Sequence, residues 1–364
     1  MKEYLNAICF GEILWDVFPD GKALGGAPLN LCLRMKSLGV TMQMISKLGQ
    51  DALAEETREA IKTFELDQNL IQEDHKLETG QVEVALDASG SASYTIKKPV
   101  AWDTIRLTEK NSKAVKNADL FIFGSLAARS KESSETLNSL LQLANYAIFD
   151  MNLRAPHYEM ETLIEFMKQA QMIKMNDEEL EEVAQFLDIS NLSIEAQLSA
   201  ISKLTNTDII CITLGADGAL LYKNGAIAKN SGYSTQVVDT VGAGDSFLAG
   251  LIYQLFKVEN TPEKSLAFAC ALGALVAGTK GANAPVPIEK ISFSEEGAIQ
   301  VRPQGAPANF LEEVDTLRVV EGNSRELEKG NDGLFRPVPG QTVDTSANVK
   351  VLSGALEMSN VNPV

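Results

Sequence analysis

The stretch Asp239-Thr-Val-Gly-Ala-Gly-Asp245 brackets a glycine-rich turn between two acids. Gly242 and Gly244 let the backbone turn tightly, so consecutive amides can point one way. Directly afterwards Phe247, Leu248, Leu251, Ile252, Leu255 and Phe256 fall on one helical face, which predicts a buried helix opening from the turn. Free amides and the positive end of such a helix make an anion site. Asp245 sits in the first turn, where its carboxylate could take a proton from a hydroxyl held over those amides. The plainer alternative, an acid that only stabilises a helix start, does not account for the two glycines and the second acid at 239. Other phosphate loops are excluded: no G-x-x-x-x-G-K-[ST] occurs, and Phe247 stands where G-x-G-x-x-G needs its last glycine.

A second constellation lies near the N-terminus, as Gly11-Glu-Ile-Leu-Trp-Asp16 followed by Leu24-Gly-Gly-Ala-Pro-Leu-Asn30. Together these two N-terminal elements and the turn at 239–245 resemble the paired signatures of the PfkB-type (ribokinase-like) carbohydrate kinases, in the order and separation of that family. The resemblance covers about residues 5–290. It implies an ATP-dependent sugar kinase that uses Mg²⁺, and a three-layer α/β fold: a central, mostly parallel sheet flanked by helices, with a small β lid.

The resemblance also implies roles for matching positions. Asp245 would be the general base, and the amides of Gly242, Ala243 and Gly244 the anion hole. Asp16 and Asn30 would hold sugar hydroxyls, with Gly25 and Gly26 beneath the sugar. Asn176-Asp-Glu-Glu179 matches an N-x-x-E element that helps place magnesium and the ATP phosphates, Glu179 acting through water; the same residues also read as a helix capping box. Thr213, Gly215 and Gly218 match a nucleotide-side T-x-G-x-x-G, and Gly281 and Asn283 fall where the family closes the adenine pocket. Asp239 lies beside a monovalent-cation position in relatives, with K⁺ as the candidate. Asp150-Met-Asn-Leu-Arg154 and Ala101-Trp-Asp103 look like the fructokinase branch, which adds Arg154 and Asp103 to the substrate side; the alternative for Asp103 is a cap on the next segment. Met151 departs from the proline common there. Phosphorylation of the primary 6-hydroxyl of fructose is the reading this favours; ribose and 2-keto-3-deoxygluconate are the alternatives within the same chemistry. A sensor that kept the fold without catalysis would be expected to lose Asp245 or a loop glycine, and this chain keeps both.

The elements that must position these residues are legible too. Short β-rich runs (Ala7–Phe10, Thr41–Ser46, Leu120–Phe123, Ala147–Asp150, Met172–Met175, Ile209–Thr213) alternate with helical patterns at Pro28–Leu38, Ala52–Phe64, Glu135–Asn145, Asp177–Leu187 and Ile194–Leu204. Strands separated by helices predict a parallel sheet covered on both faces. Gly11, Gly124, Asn152, Asn176 and Gly215 each stand at or just past a strand's carboxyl end, the edge where open α/β sheets bind ligands. One region breaks the alternation: Gln81–Leu86 and Ala92–Ile96 read as a hairpin around Asp87-Ala-Ser-Gly90. The lid is assigned to about 12–24 and 79–100; relatives often dimerise through such lids.

Composition bounds the rest. The 364 residues can bury a large core, and the kinase domain is expected over 1–296. The last 68 residues, 297–364, hold five of the twelve prolines and no sustained helical period; Leu311–Val320 and Val349–Leu356 could be strands of an appended unit, or the tail is poorly ordered. A net charge of −17 argues against nucleic-acid or anionic-membrane binding. Four single cysteines and two histidines offer no zinc site and read as buried thiols. With no apolar signal core at the N-terminus, a cytoplasmic enzyme with sugar and ATP as small-molecule partners is expected.

Overall fold

Alternate residues of the first strand serve two cores. Ala7 and Cys9 of β1 (Asn6–Phe10) join one buried cluster, Ile8 and Phe10 the other. That is the pattern of a strand covered on both faces. The computed structural model describes residues 4–19, 21–86 and 92–283, and beyond them the strands Ile288–Phe293, Ala298–Pro303, Glu312–Thr316, Leu327–Lys329 and Phe335–Pro337.

After β1 come β2 (Leu14–Phe18) and β3 (Gly21–Gly25), then α1 (Ala27–Ser37), β4 (Thr41–Leu48), α2 (Ala52–Thr63) and β5 (Ile71–Glu73). The hairpin β6 (Gly80–Leu86) and β7 (Ala92–Ile96) follows, then α3 (Glu109–Asn117), β8 (Leu120–Gly124), α4 (Lys131–Leu141) and β9 (Ala147–Asp150). The second half runs α5 (Met160–Gln169), β10 (Met172–Asn176), α6 (Asp177–Phe186), α7 (Ile194–Thr205) and β11 (Ile209–Thr213). It ends with the antiparallel pair β12 (Ala219–Lys223) and β13 (Ala226–Asn230), then α8 (Ala243–Ile252) and α9 (Pro262–Ala277).

The main sheet has the order β13-β12-β11-β10-β9-β8-β1-β4-β5. Every pairing from β11 to β5 is parallel, while β12 and β13 add an antiparallel edge. The chain leaves β1 first for β4 and later for β8, so the strand order reverses at β1, the point beyond whose carboxyl end open α/β sheets bind ligands. Helices α1, α2, α8 and α9 bury their apolar residues on one face, α3 to α7 on the other. A separate four-stranded sheet, β3-β2-β6-β7, forms where the small β lid is expected. The turn 87–90 lies outside the described residues.

Two expected helices differ in detail. The helix expected at Glu135–Asn145 starts a turn earlier as α4, after Ser130, because Leu137, Leu140 and Leu141 are the residues that reach the core. The run after Asp245 stays regular only to Ile252, and Tyr253–Val258 widens into a π-helical turn.

Contacts divide the chain into residues 1–284 and 285–364, whereas composition changes near 296. In the second unit Ile288–Phe293, Ala298–Pro303 and Glu312–Thr316 form an antiparallel sheet, and Leu327–Lys329 pairs with Phe335–Pro337. Glu312–Thr316 falls inside the strand expected at Leu311–Val320; the one expected at Val349–Leu356 lies outside the described residues.

Candidate active site

The turn before α8 is built as its glycines suggest. Gly242 caps the helix at φ +79°, and a Cβ there would stand 2.4 Å from Ala282 Cβ. No side chain fits that contact, so the loop must lie flat on the 278–283 segment. Asp239 pins the same junction with both carboxylate oxygens, accepting from Val241 N and from Gly281 N, each at 3.0 Å. Of the three amides expected to form the anion hole, Ala243 N turns back to Thr240 O at 3.2 Å. Among the described residues Gly242 N and Gly244 N have no such partner, and Asp245 N joins them in the first turn. The donors available are therefore 242, 244 and 245 rather than 242 to 244.

Asp245 is half-buried, with Oδ2 accepting from Asn30 Nδ2 at 2.8 Å. Asn30 in turn accepts from Asn283 Nδ2 at 2.9 Å, so residues 253 positions apart meet in one short chain of hydrogen bonds. Burial, and then the nearby charge of Asp150, push the Asp245 carboxyl up to about 6; Asn30, Lys174 and Arg154 pull the other way. Such a carboxylate is a competent base near neutral pH.

On the acceptor side, Asp16 of β2 faces Ala23 of β3, and its Oδ2 would lie only 2.9 Å from a Cβ at Gly25. Gly26 takes φ +108°, where a Cβ would meet Glu12 O at 2.5 Å. These two glycines let the lid's last strand run directly over β2 into α1. Burial raises the Asp16 carboxyl, opposed by the charge of Arg154. Arg154 is exposed, its Nη1 bonding its own neighbour Leu153 O at 2.8 Å, and its charge is felt by Glu12, Asp16 and Asp245. Asp16, Gly25, Gly26, Asn30, Arg154 and Asp245 thus share one neighbourhood.

Asp103 does not join them. Its Oδ1 accepts from Arg129 Nε at 2.7 Å and Ser130 Oγ at 3.0 Å, its Oδ2 from Arg129 Nη2 and Val100 N at 2.9 Å each. With Asp103 2% exposed and its acceptors spent, a sugar hydroxyl has nothing to bind; the residue is part of the scaffold.

The nucleotide-side elements sit along the same sheet edge. Asn176 caps α6 and exchanges bonds with Glu179, at 2.7 Å to the Glu179 amide and 2.8 Å back from its own. The other oxygen of Glu179 accepts from Leu153 N at 2.7 Å, tying β10 to the loop after β9. Thr213 pairs with Asn176 in register, and Gly215 and Gly218 turn the chain from β11 into β12 at φ +57° and +85°.

Sequence reasoning passed over Lys174. It lies in the middle of β10 with an ion pair of 3.1 Å to Asp150, and both side chains are buried. Its Nζ would lie 3.7 Å from a Cβ on Gly244. Asp150, Glu179 and Asp245 together hold its ammonium above the usual range against the cost of burial. The signal was a lysine inside Met172-Ile-Lys-Met175, a central strand that cannot carry a charge without a partner. Glu12 was also missed: burial lifts its carboxyl to about 7, and its Oε2 has no hydrogen-bond partner among the described residues.

Against known proteins, residues 7–289 match the pfkB family of carbohydrate kinases. This chain belongs to that family. A putative sugar kinase of Pyrococcus horikoshii is 30% identical over 293 residues, spanning 78% of this chain and 90% of that protein. A probable fructokinase-2 of Arabidopsis thaliana is 27% identical over 316 residues, 79% of this chain and 94% of that one. Among solved structures, the Vibrio cholerae fructokinase with fructose, ADP and calcium superposes with a TM-score of 0.67 at 24% identity, covering 79% of this chain and 97% of that one. The protein is therefore an ATP-dependent sugar kinase with the ribokinase-like fold. No helix among the described residues is long and apolar enough to cross a membrane.

Proposed function

We propose that this carbohydrate kinase phosphorylates the primary 6-hydroxyl of fructose, with Asp245 as the base. The observation that carries this is the Asp245 carboxylate, pushed up to about 6, standing in the first turn of α8 beside amides that have no backbone acceptor among the described residues. Asn30 holds one of its oxygens and leaves the other for the hydroxyl. As the sugar oxygen attacks the γ-phosphorus of ATP, its proton passes to Asp245, the bond to the bridging oxygen breaks, and ADP leaves. Charge on the transferring group is met by the amides of 242, 244 and 245 and, from below, by Lys174. Asp16 and Asn30 would orient the sugar, with Arg154 at the rim; the relatives named fructokinase support fructose over ribose or 2-keto-3-deoxygluconate.

The donors present fit a hydrated Mg²⁺ carried in by ATP. Asp150 Oδ1 is buried with no hydrogen bond beyond its ion pair to Lys174, and Glu179 keeps lone pairs besides the two its amide partners use. No cage of three His, Cys, Asp or Glu side chains exists among the described residues, which suits outer-sphere contact through water. Bound there, the ion would neutralise phosphate charge. K⁺ would rest on loop carbonyls near Asp239, whose carboxylate is committed to amides; an unchanged rate on exchanging K⁺ for Na⁺ at constant ionic strength removes that reading. The sugar itself is tested by comparing kcat/KM for fructose, ribose and 2-keto-3-deoxygluconate with ATP and Mg²⁺. Fructose should lead, and a better rate with either rival replaces it.

A further inference from the structure

Helix α1 is buried from Pro28 to Met35, and the polar residues of that stretch are Asn30 and Arg34. Four positions apart, they share one face of the helix. Both reach the same two segments. Asn30 donates to Asp245 and accepts from Asn283. One turn further on, Arg34 donates through Nε to Ser246 Oγ at 3.0 Å and through Nη2 to Ala282 O at 3.3 Å. The partners are consecutive on each side: 245 and 246 in the first turn of α8, 282 and 283 in the segment after α9.

A buried guanidinium gives up its hydration to stand here. Arg34 is 6% exposed, and burial lowers its pKa. A methionine of similar length would fill the same space without losing the solvation of a charge. What arginine adds is a planar fork whose nitrogens keep a fixed relation, able to grip acceptors on two elements at once. The junction it grips has little slack. A Cβ on Gly242 would stand 2.4 Å from Ala282 Cβ, and Asp239 accepts from Gly281 N across the same seam. Movement of 282 against this turn would therefore disturb the amides at 242–245 and the carboxylate that follows them.

We propose that Arg34 is a positioning residue for phosphoryl transfer, holding the first turn of α8 and the 281–283 segment in one fixed relation. The base and the nucleotide side of the site are thereby set together. This rests on the reading of Asp245 as the base and of Gly281 and Asn283 as nucleotide-side residues, and not on which sugar is the substrate. Arg34 acts through its neighbours: its Nε holds a hydroxyl one residue past the base, and its Nη2 a carbonyl one residue before Asn283.

The test is steady-state kinetics with ATP, Mg²⁺ and whichever of fructose, ribose and 2-keto-3-deoxygluconate the wild type turns over fastest. Thermal melts refer each rate to folded enzyme. Arg34→Met keeps the length of the side chain and should fold, since it no longer buries a charge. Its kcat should fall about tenfold, as for a small misplacement of reacting groups. Its KM for ATP should rise about fivefold, the effect of losing one hydrogen bond. Ser246→Ala removes one of the two grips and should reproduce part of the fall in kcat. The double variant should be no worse than Arg34→Met alone, because the two residues share one interaction. Arg34→Lys keeps the charge without the fork and should stay within about twofold of Arg34→Met.

Wild-type kcat and KM for ATP in Arg34→Met, with only the melting temperature lowered, would make the residue structural and sink the proposal. Full recovery in Arg34→Lys would mean that charge, not the two-point grip, is what counts. A lower kcat with KM for ATP unchanged would confine the effect to the base turn and equally overturn the joint setting. If Arg34→Met does not fold, Ser246→Ala decides alone, and an unchanged kcat there ends the idea. Failure of the base reading looks different: Asp245→Asn would then keep its turnover, whatever Arg34→Met does.

Discussion

Asp103 and Asp245 both stand within the first residues of a helical turn, the first buried and the second half-buried, yet the two regions use the carboxylate in opposite ways. Around Asp103 every acceptor is spent: a two-point bond to Arg129, a hydroxyl and a backbone amide. Around Asp245 a single amide donor holds one oxygen, and the neighbouring charge of Asp150 opposes ionisation. The first arrangement lowers the energy of a fixed geometry. The second leaves lone pairs open and holds the proton affinity near that needed to accept a proton at neutral pH. What separates scaffold from chemistry here is how many partners the carboxylate already has.

The largest effect expected from this contrast is at Asp245. Asp245→Asn keeps the bond with Asn30 and removes the base, so kcat with fructose should fall about 10³-fold, within the range for a lost general base. Sugar affinity should change little. The melting temperature should hold or rise, because the variant no longer buries a charge. A fall of less than tenfold in steady-state kcat would move the base elsewhere.

Asp103→Asn should show the reverse. Breaking a buried pair strands the Arg129 charge, at a cost of about 3–5 kcal/mol. Urea unfolding should show that loss while the folded fraction keeps kcat within a few-fold of wild type. Turnover lost at full stability would return Asp103 to the sugar.

Much of this division was legible before the fold was known. Asp239-Thr-Val-Gly-Ala-Gly-Asp245 required a tight turn opening an apolar helix, and Gly242 does take a left-handed φ there. The strand ends at Gly11, Gly124, Asn152 and Asn176 fell on one sheet edge because short apolar runs followed by helical periods leave few other topologies. Asp103 was misplaced because its partner Arg129 lies 26 residues away on another element, and nothing local marks that pairing. Ala243 was misjudged for a different reason: spacing shows that amides are present, not which one folds back on Thr240. Lys174 and Glu12 take their meaning from burial beside other charges, which a linear pattern does not carry.

A smaller effect sharpens the electrostatic side. Lys174 lowers the proton affinity of Asp245, so Lys174→Met should raise the acid limb of the kcat/KM profile above its wild-type position near pH 6. It should also cut kcat by about 10–100-fold, by removing positive charge beneath the phosphoryl group. Lys174→Arg should restore part of both. A merely structural lysine would alter stability and leave the pH limb in place.

The smallest effect concerns Glu12, whose carboxyl is pushed up to about 7 in the folded protein. In the unfolded chain a glutamate titrates near 4.3, so between those values the folded state holds a proton that the unfolded state has released. Stability is therefore greatest below about pH 4 with respect to this group, and declines as pH rises towards 7, by roughly 4 kcal/mol in all. Asp245, at about 6, adds a parallel decline over a narrower window. Glu12→Gln removes the larger share, and thermal melts at pH 5 and pH 8 should converge relative to wild type. Glu12 is still protonated where Asp245 titrates, so Glu12→Gln should leave the acid limb close to its wild-type position. Melts that stay as far apart as in wild type would mean that Glu12 is already ionised in the folded protein, and that its unpaired oxygen has found a donor.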